Sequence, residues 1–96
     1  MSFWVYILRC ADGSFYVGHT DDLERRFAEH RSGALGGYTS TRLPVELAFA
    51  TEMPTREEAL TREMQIKNWS RAKKAALIKS DWRKLTRLAR GKDRWP

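Results

Sequence analysis

Residues 3–9, FWVYILR, form a run of aromatic and β-branched side chains that breaks at Ala-Asp-Gly-Ser and resumes over residues 15–20 as FYVGHT. Two such runs around a short Asp-Gly segment predict a β-hairpin. After Asp21 the period lengthens: Leu23, Phe27 and His30 recur on one helical face, and Ser32-Gly33 supplies the stop. Residues 33–44, GALGGYTSTRLP, carry three glycines and a Ser/Thr cluster and read as a twelve-residue loop, a length that points to a working loop. Val45, Leu47 and Phe49 alternate with Glu46, Ala48 and Ala50, predicting a third strand with one apolar face. Thr55-Arg56-Glu57-Glu58 has the form of a capping box and opens a helix expected to reach about Trp69. Ser70 can cap a second helix, RAKKAALIK. Ser80 or Asp81 can cap a third, WRKLTRLAR, with Trp82, Leu85 and Leu88 on one face. The order β-β-α-β-α-α-α predicts an α+β fold, a small three-stranded antiparallel β-sheet flanked by helices.

Ninety-six residues, 42% of them hydrophobic, suffice for one compact core and not for two. The expectation is a single domain over 1–96, its motif-bearing part at 3–80 and a basic helical extension at 81–96. No apolar run approaches the roughly 20 residues of a membrane span, and the start MSFWVYILRC lacks the basic n-region of a signal peptide, so a cytoplasmic protein without a membrane partner is expected. A lone cysteine, Cys10, fits a reducing compartment and excludes a four-cysteine zinc fold. Lys and Arg outnumber Asp and Glu 18 to 12, and the excess is polarised. Residues 1–55 hold five basic and seven acidic side chains, whereas residues 64–96 hold eleven and two, net +9. A basic half of this kind favours a polyanionic partner, nucleic acid above all, because each phosphate contact releases a counterion.

Three places break the hydrophobic pattern. In the helix after Thr55, Glu63 falls inside the arc defined by Ala59, Ile66, Leu60 and Met64, at about 100° per residue. A carboxylate there needs a cation or donors. Either it is a structural ion pair, for which Lys67 at i+4 is a local partner, or it is a metal ligand. In the first helix, Arg26 and His30 accompany Leu23 and Phe27. A fixed guanidinium at that place is an ion-pair member or a phosphate clamp. In the hairpin, Tyr6 and Tyr16 stand among aliphatic residues, with Gly18 interrupting the second strand. A two-residue Asp12-Gly13 turn would pair Tyr6 with His19 and separate the phenols. A three-residue loop closed by a left-handed Gly13 would pair Tyr6 with Gly18 and Leu8 with Tyr16, placing both phenols on one face with the Tyr6 ring over Gly18.

Together these residues resemble the GIY-YIG nuclease superfamily, in particular its small bacterial members. Val5-Tyr6-Ile7 stands for the first motif, matching at its tyrosine, and Tyr16-Val17-Gly18 follows ten residues later as the second. HTDDLERRFAEH resembles the family's arginine-bearing helix, which places the arginine at Arg26 and a frequent histidine at His30. EALTREMQIK resembles the helix that supplies the metal-binding glutamate, at Glu63. YTSTRLPVELAF and IKNWSRAKKAAL are similar to the small bacterial proteins.

The resemblance implies a divalent-metal-dependent endonuclease that hydrolyses nucleic-acid phosphodiester bonds, DNA before RNA, in structure-specific repair or recombination. Glu63 would hold one Mg²⁺ or Mn²⁺, and Arg26 would donate to the non-bridging oxygens. Tyr16, or Tyr6, would position or deprotonate the attacking water. His19 sits where the superfamily's excision-repair nuclease carries a lysine and is the neighbour expected to assist a phenol, with His30 as its rival. Arg26, Lys67, Arg71, Lys73 and Lys74 are expected to meet the nucleic acid. About thirty residues follow the Glu63 helix, too few for a separate targeting domain, so specificity would come from substrate shape or a protein partner. The alternative is a non-catalytic nucleic-acid-binding module that retains the fold.

Overall fold

The computed structural model describes residues 2–80. The third helix expected after Ser80, and with it the basic extension, lies outside the described residues. The hairpin strands are β1 (Phe3–Arg9) and β2 (Phe15–Thr20). They pair with Tyr6 opposite Gly18 and Leu8 opposite Tyr16. That register follows from the loop. Cys10 N–H bonds Ser14 C=O, Gly13 N–H bonds Cys10 C=O, and Gly13 takes φ +84°, the left-handed residue of a three-residue hairpin loop. Both phenols therefore share a face of the sheet.

Helix α1 (Leu23–Ser32) is capped by Asp22, whose side chain accepts from Arg25 N–H, and ends on Gly33 at φ 78°. The segment expected as loop contains a further element, α2 (Gly37–Ser40). This single turn buries Thr39, which no periodic pattern announces. β3 (Glu46–Met53) pairs antiparallel with β1, giving the sheet order β2-β1-β3. The expected alternation along β3 does not survive pairing. A bulge sets Phe49 opposite Ile7 but Leu47 opposite Leu8, so Phe49 turns to one face while Val45 and Leu47 turn to the other.

α3 (Arg56–Lys67) starts on Thr55, whose hydroxyl accepts from Glu58 N–H, and α4 (Arg71–Ile78) starts on Ser70 in the same way. These two helices cover one face, where Val5, Ile7 and Val17 pack with Ala59, Ile66, Trp69, Ala76 and Leu77. α1 covers the other, bringing Leu23 and Phe27 to Tyr6, Leu8, Cys10 and Val45. The buried stripe of α3 is narrower than expected. Ala59, Glu63 and Ile66 are buried, whereas Leu60 and Met64 stand exposed, so Glu63 lies at the centre of the buried stripe. Among the described residues no helix is long and apolar enough to cross a membrane.

Candidate active site

β2 is an edge strand, and the two faces of the sheet meet around it. From the central strand, the Tyr6 ring crosses β2 at Gly18, where a Cβ would lie 2.5 Å from the phenol oxygen. Gly18 is glycine because of this close approach. The ring is 1% exposed and reaches His30 of α1, with Oη 3.0 Å from Nε2. His30 Nδ1 lies 2.8 Å from the Thr39 hydroxyl of α2. Tyr16 completes the cluster, its ring centroid 6.5 Å from Tyr6 and 5.1 Å from His30.

Burial pushes the Tyr6 phenol up to about 12, the neighbouring Tyr16 and Glu63 add to this, and the nearby Arg26 guanidinium opposes it. Tyr6 therefore keeps its proton at neutral pH in this environment. Both ring nitrogens of His30 are thus engaged, Nε2 with the Tyr6 hydroxyl and Nδ1 with the Thr39 hydroxyl. Arg26 also pairs with Glu29 one turn on, Nε to Oε1 3.3 Å. Burial, then the Arg26 charge, holds the His30 pKa below the usual histidine value, so this imidazole is neutral at pH 7.

That shift has a measurable sign. Below about pH 6.5 the unfolded chain takes up a proton at residue 30 that the folded chain refuses, so stability falls as pH drops through this range. Urea unfolding at pH 7.5 and pH 5 is expected to show a steeper acid loss in the natural protein than in His30→Gln. Equal slopes would remove His30 as the source.

On the other face Glu63, 8% exposed, has both oxygens engaged. Oε1 is 2.5 Å from His19 Nδ1 and Oε2 is 3.1 Å from Lys67 Nζ. His19 thus touches the carboxylate rather than assisting a phenol, because its position in the strand alternation points it to the α3 face. The Lys67 contact is the expected i, i+4 pair.

Among the other basic residues, Arg71 lies over the Phe15 ring, 4.5 Å from its centroid, and Lys74 is half-buried against the β2 edge, where burial lowers its pKa. Lys73 is a correction. It is 2% exposed, with its ammonium 4.3 Å from the centre of the Trp69 ring, so it packs in the core instead of meeting nucleic acid.

The contribution of α2 is not foreseen from the sequence. Thr39 fixes His30, Tyr38 stacks on Tyr16, and Arg42 lies 3.7 Å from the Tyr38 centroid while pairing with Asp12. The signal for it is an aromatic residue and an arginine inside a Gly/Ser/Thr-rich stretch.

Among the described residues no group of three or more His, Cys, Asp or Glu side chains could cage a metal. The donor set fits Mg²⁺ or Mn²⁺ held through one carboxylate, with water and phosphate oxygens completing the shell. It does not fit a closed zinc site. Of the two side chains paired with Glu63, Lys67 is the more exposed, at 52% against 23% for His19.

A three-stranded sheet whose edge gathers two tyrosines, a helical arginine and a buried helical glutamate defines the class of the GIY-YIG catalytic domain. The sequence model of that domain matches residues 2–76, and the chain belongs to this family. Its similar relatives carry the family designation UPF0213. A UPF0213 protein of Staphylococcus saprophyticus is 44% identical over 75 residues, covering 78% of this chain and 92% of the relative. One of Halobacterium salinarum is 45% identical over 74 residues, covering 77% and 96%. The solution NMR structure of a UPF0213 protein from Bacillus halodurans, 39% identical, superposes with a TM-score of 0.56 over 93% of this chain and 98% of that one.

Proposed function

We propose that this protein is a divalent-metal-dependent nuclease that hydrolyses phosphodiester bonds in nucleic acid, DNA before RNA. The observation that carries the reading is the placement of Tyr16 and Arg26 about Tyr6, with Glu63 on the opposite face near enough to act electrostatically on the Tyr6 phenol, beside Lys67, Arg71 and Lys74. Glu63 would hold the ion, which when bound supplies Lewis-acid stabilisation at the scissile phosphate.

The chain's own residues do the rest. Arg26, paired with Glu29, donates to the non-bridging oxygens as their charge grows. Tyr16 orients the attacking water at the cleft. His30 is buried with both ring nitrogens engaged, so it orients the phenols and takes no proton. His19, partly exposed, presents Nε2 while Nδ1–H is held by Glu63, and it receives the proton. A substrate phosphate that draws Lys67 away uncovers Glu63 Oε2. A protein partner or the substrate's shape then supplies specificity and the setting in repair or recombination.

The test is incubation with duplex, branched and single-stranded DNA and with RNA, with Mg²⁺, Mn²⁺ or chelator. Metal-dependent cutting supports the reading. Arg26→Ala is expected to slow cleavage about 10²–10³-fold with an unchanged far-UV circular dichroism spectrum, and undiminished cutting would reject its role. One observation favours a non-catalytic binding module: both Glu63 oxygens already have cationic or donor partners. That reading is adopted if the protein binds every substrate in a salt-dependent way and cuts none.

A further inference from the structure

Outside the phenol–imidazole cluster, along the β2 edge, lies a cleft of about 190 Å³ lined by Phe15, Tyr16, Val17, Tyr38, Lys67 and Lys74. It is smaller than the roughly 300–1,000 Å³ of a site for a drug-sized ligand, and suits a single planar group. Its walls are chemically distinct. One bears aromatic rings, and the other bears two ammonium groups from α3 and α4.

Tyr38 is the residue that the fold leaves unexplained. It is 41% exposed, while its neighbour Thr39 makes the buried contact of α2. Yet Tyr38 is held in place. Its ring lies offset over Tyr16 at 6.1 Å and 26°, the Arg42 guanidinium covers it, and Arg42 is fixed in turn by Asp12 and by the Tyr38 carbonyl. Phe15 on the same edge sits beneath Arg71. Aromatic side chains beside a positively charged groove are the recurring means of binding unpaired bases and their phosphates. A base inside a duplex has its faces stacked on its neighbours and cannot offer one.

The geometry points to this cleft as the binding site for one unpaired nucleobase, which packs against the exposed part of the Tyr38 ring at the end of the Tyr16–Tyr38 stack while its flanking phosphates meet Lys67 and Lys74. The inference rests on the nucleic-acid reading above and narrows it. Because Tyr16 lines both the cleft and the candidate active site, the phosphate presented for hydrolysis belongs to a single strand, loop, bulge or frayed end.

The test measures binding in chelator, where nothing is cut, using the full chain and oligonucleotides carrying 2-aminopurine. Single-stranded DNA, the same sequence as RNA, a blunt duplex and a single strand with one abasic position form the arms. Single strands are expected to bind and to quench the fluorophore. Tyr38→Ala should weaken single-strand binding about 5- to 100-fold, with Tyr38→Phe and Tyr38→Trp close to natural, and duplex binding should not change. The abasic position should weaken the natural protein more than Tyr38→Ala. Lys74→Gln should reduce the salt slope by about 1. The DNA and RNA arms identify which sugar the site accepts. Undiminished single-strand binding by Tyr38→Ala, or equal losses on duplex and single strand, overturns the inference. Absence of binding to any arm overturns the nucleic-acid reading with it.

Discussion

Replacing Glu63 by Gln is expected to lower metal-dependent cleavage by at least about 10³-fold while leaving the fold intact. The charge lost is the carboxylate proposed to hold the divalent cation, and transition-state stabilisation by such an ion is worth several kcal/mol, each 1.4 kcal/mol or so being a decade in rate. The fold survives because the amide keeps the shape. Its carbonyl oxygen still accepts from His19 Nδ1–H, and Lys67, half-exposed, returns to water. What disappears is the anion within the buried stripe of α3, between Ala59 and Ile66. Replacing a buried carboxylate by an isosteric amide removes a desolvation cost along with an ion pair, so the change in stability is expected to be small. The measurements are cleavage at saturating Mg²⁺ and Mn²⁺, thermal unfolding, and oligonucleotide binding in chelator. Lost cutting with retained binding and retained unfolding temperature supports Glu63 as the metal-holding residue. Cutting within tenfold of the natural protein refutes it. A protein that unfolds tens of degrees lower would show Glu63 to be mainly structural.

Much of this arrangement is legible in the sequence wherever the deciding physics is local. Hairpin register follows from one left-handed glycine, so the shared face of Tyr6 and Tyr16 is contained in the three-residue version of the Ala11–Gly13 loop. The buried position of Glu63 follows from helical spacing, as does its pairing with Lys67. What escapes depends on contacts between distant segments. α2 begins at glycines 36 and 37, both at positive φ, which local propensity scores against a helix. It is held by His30 and by the Arg42–Asp12 pair, remote in sequence. The bulge in β3 is a relation between two strands and leaves no mark in the alternation of either one. Lys73 reads as one more solvated charge in a basic run, and only the packing of α4 lays it on Trp69. His19 is expected beside a phenol because it falls where the superfamily's excision-repair nuclease carries a lysine, whereas strand alternation sends it to Glu63.

Gly18→Ala is expected to cost about 1–3 kcal/mol of stability, the range for forcing a methyl into a packed site, and to reduce cleavage beyond that loss. The added Cβ would lie 2.5 Å from the Tyr6 oxygen and 2.6 Å from its Cζ, inside any permitted contact. The ring has little room to yield, since it is buried between Tyr16 and His30 and tied through its hydroxyl to His30. Moving it breaks the bond between the Tyr6 hydroxyl and His30 Nε2. A double-mutant cycle separates this account from a simple preference for glycine in the strand. Alanine suits an extended backbone better than glycine by roughly 0.5–1 kcal/mol. In a Tyr6→Ala background, where nothing occupies the space over residue 18, the same substitution should therefore be neutral or stabilising. The sign of its effect should reverse between the two backgrounds, read as the urea midpoint, and the His30 ring ¹⁵N shifts should move in Gly18→Ala alone. A loss of equal size in both backgrounds would mean that the Tyr6 ring does not lie over residue 18. The glycine of the second motif would then owe nothing to that ring.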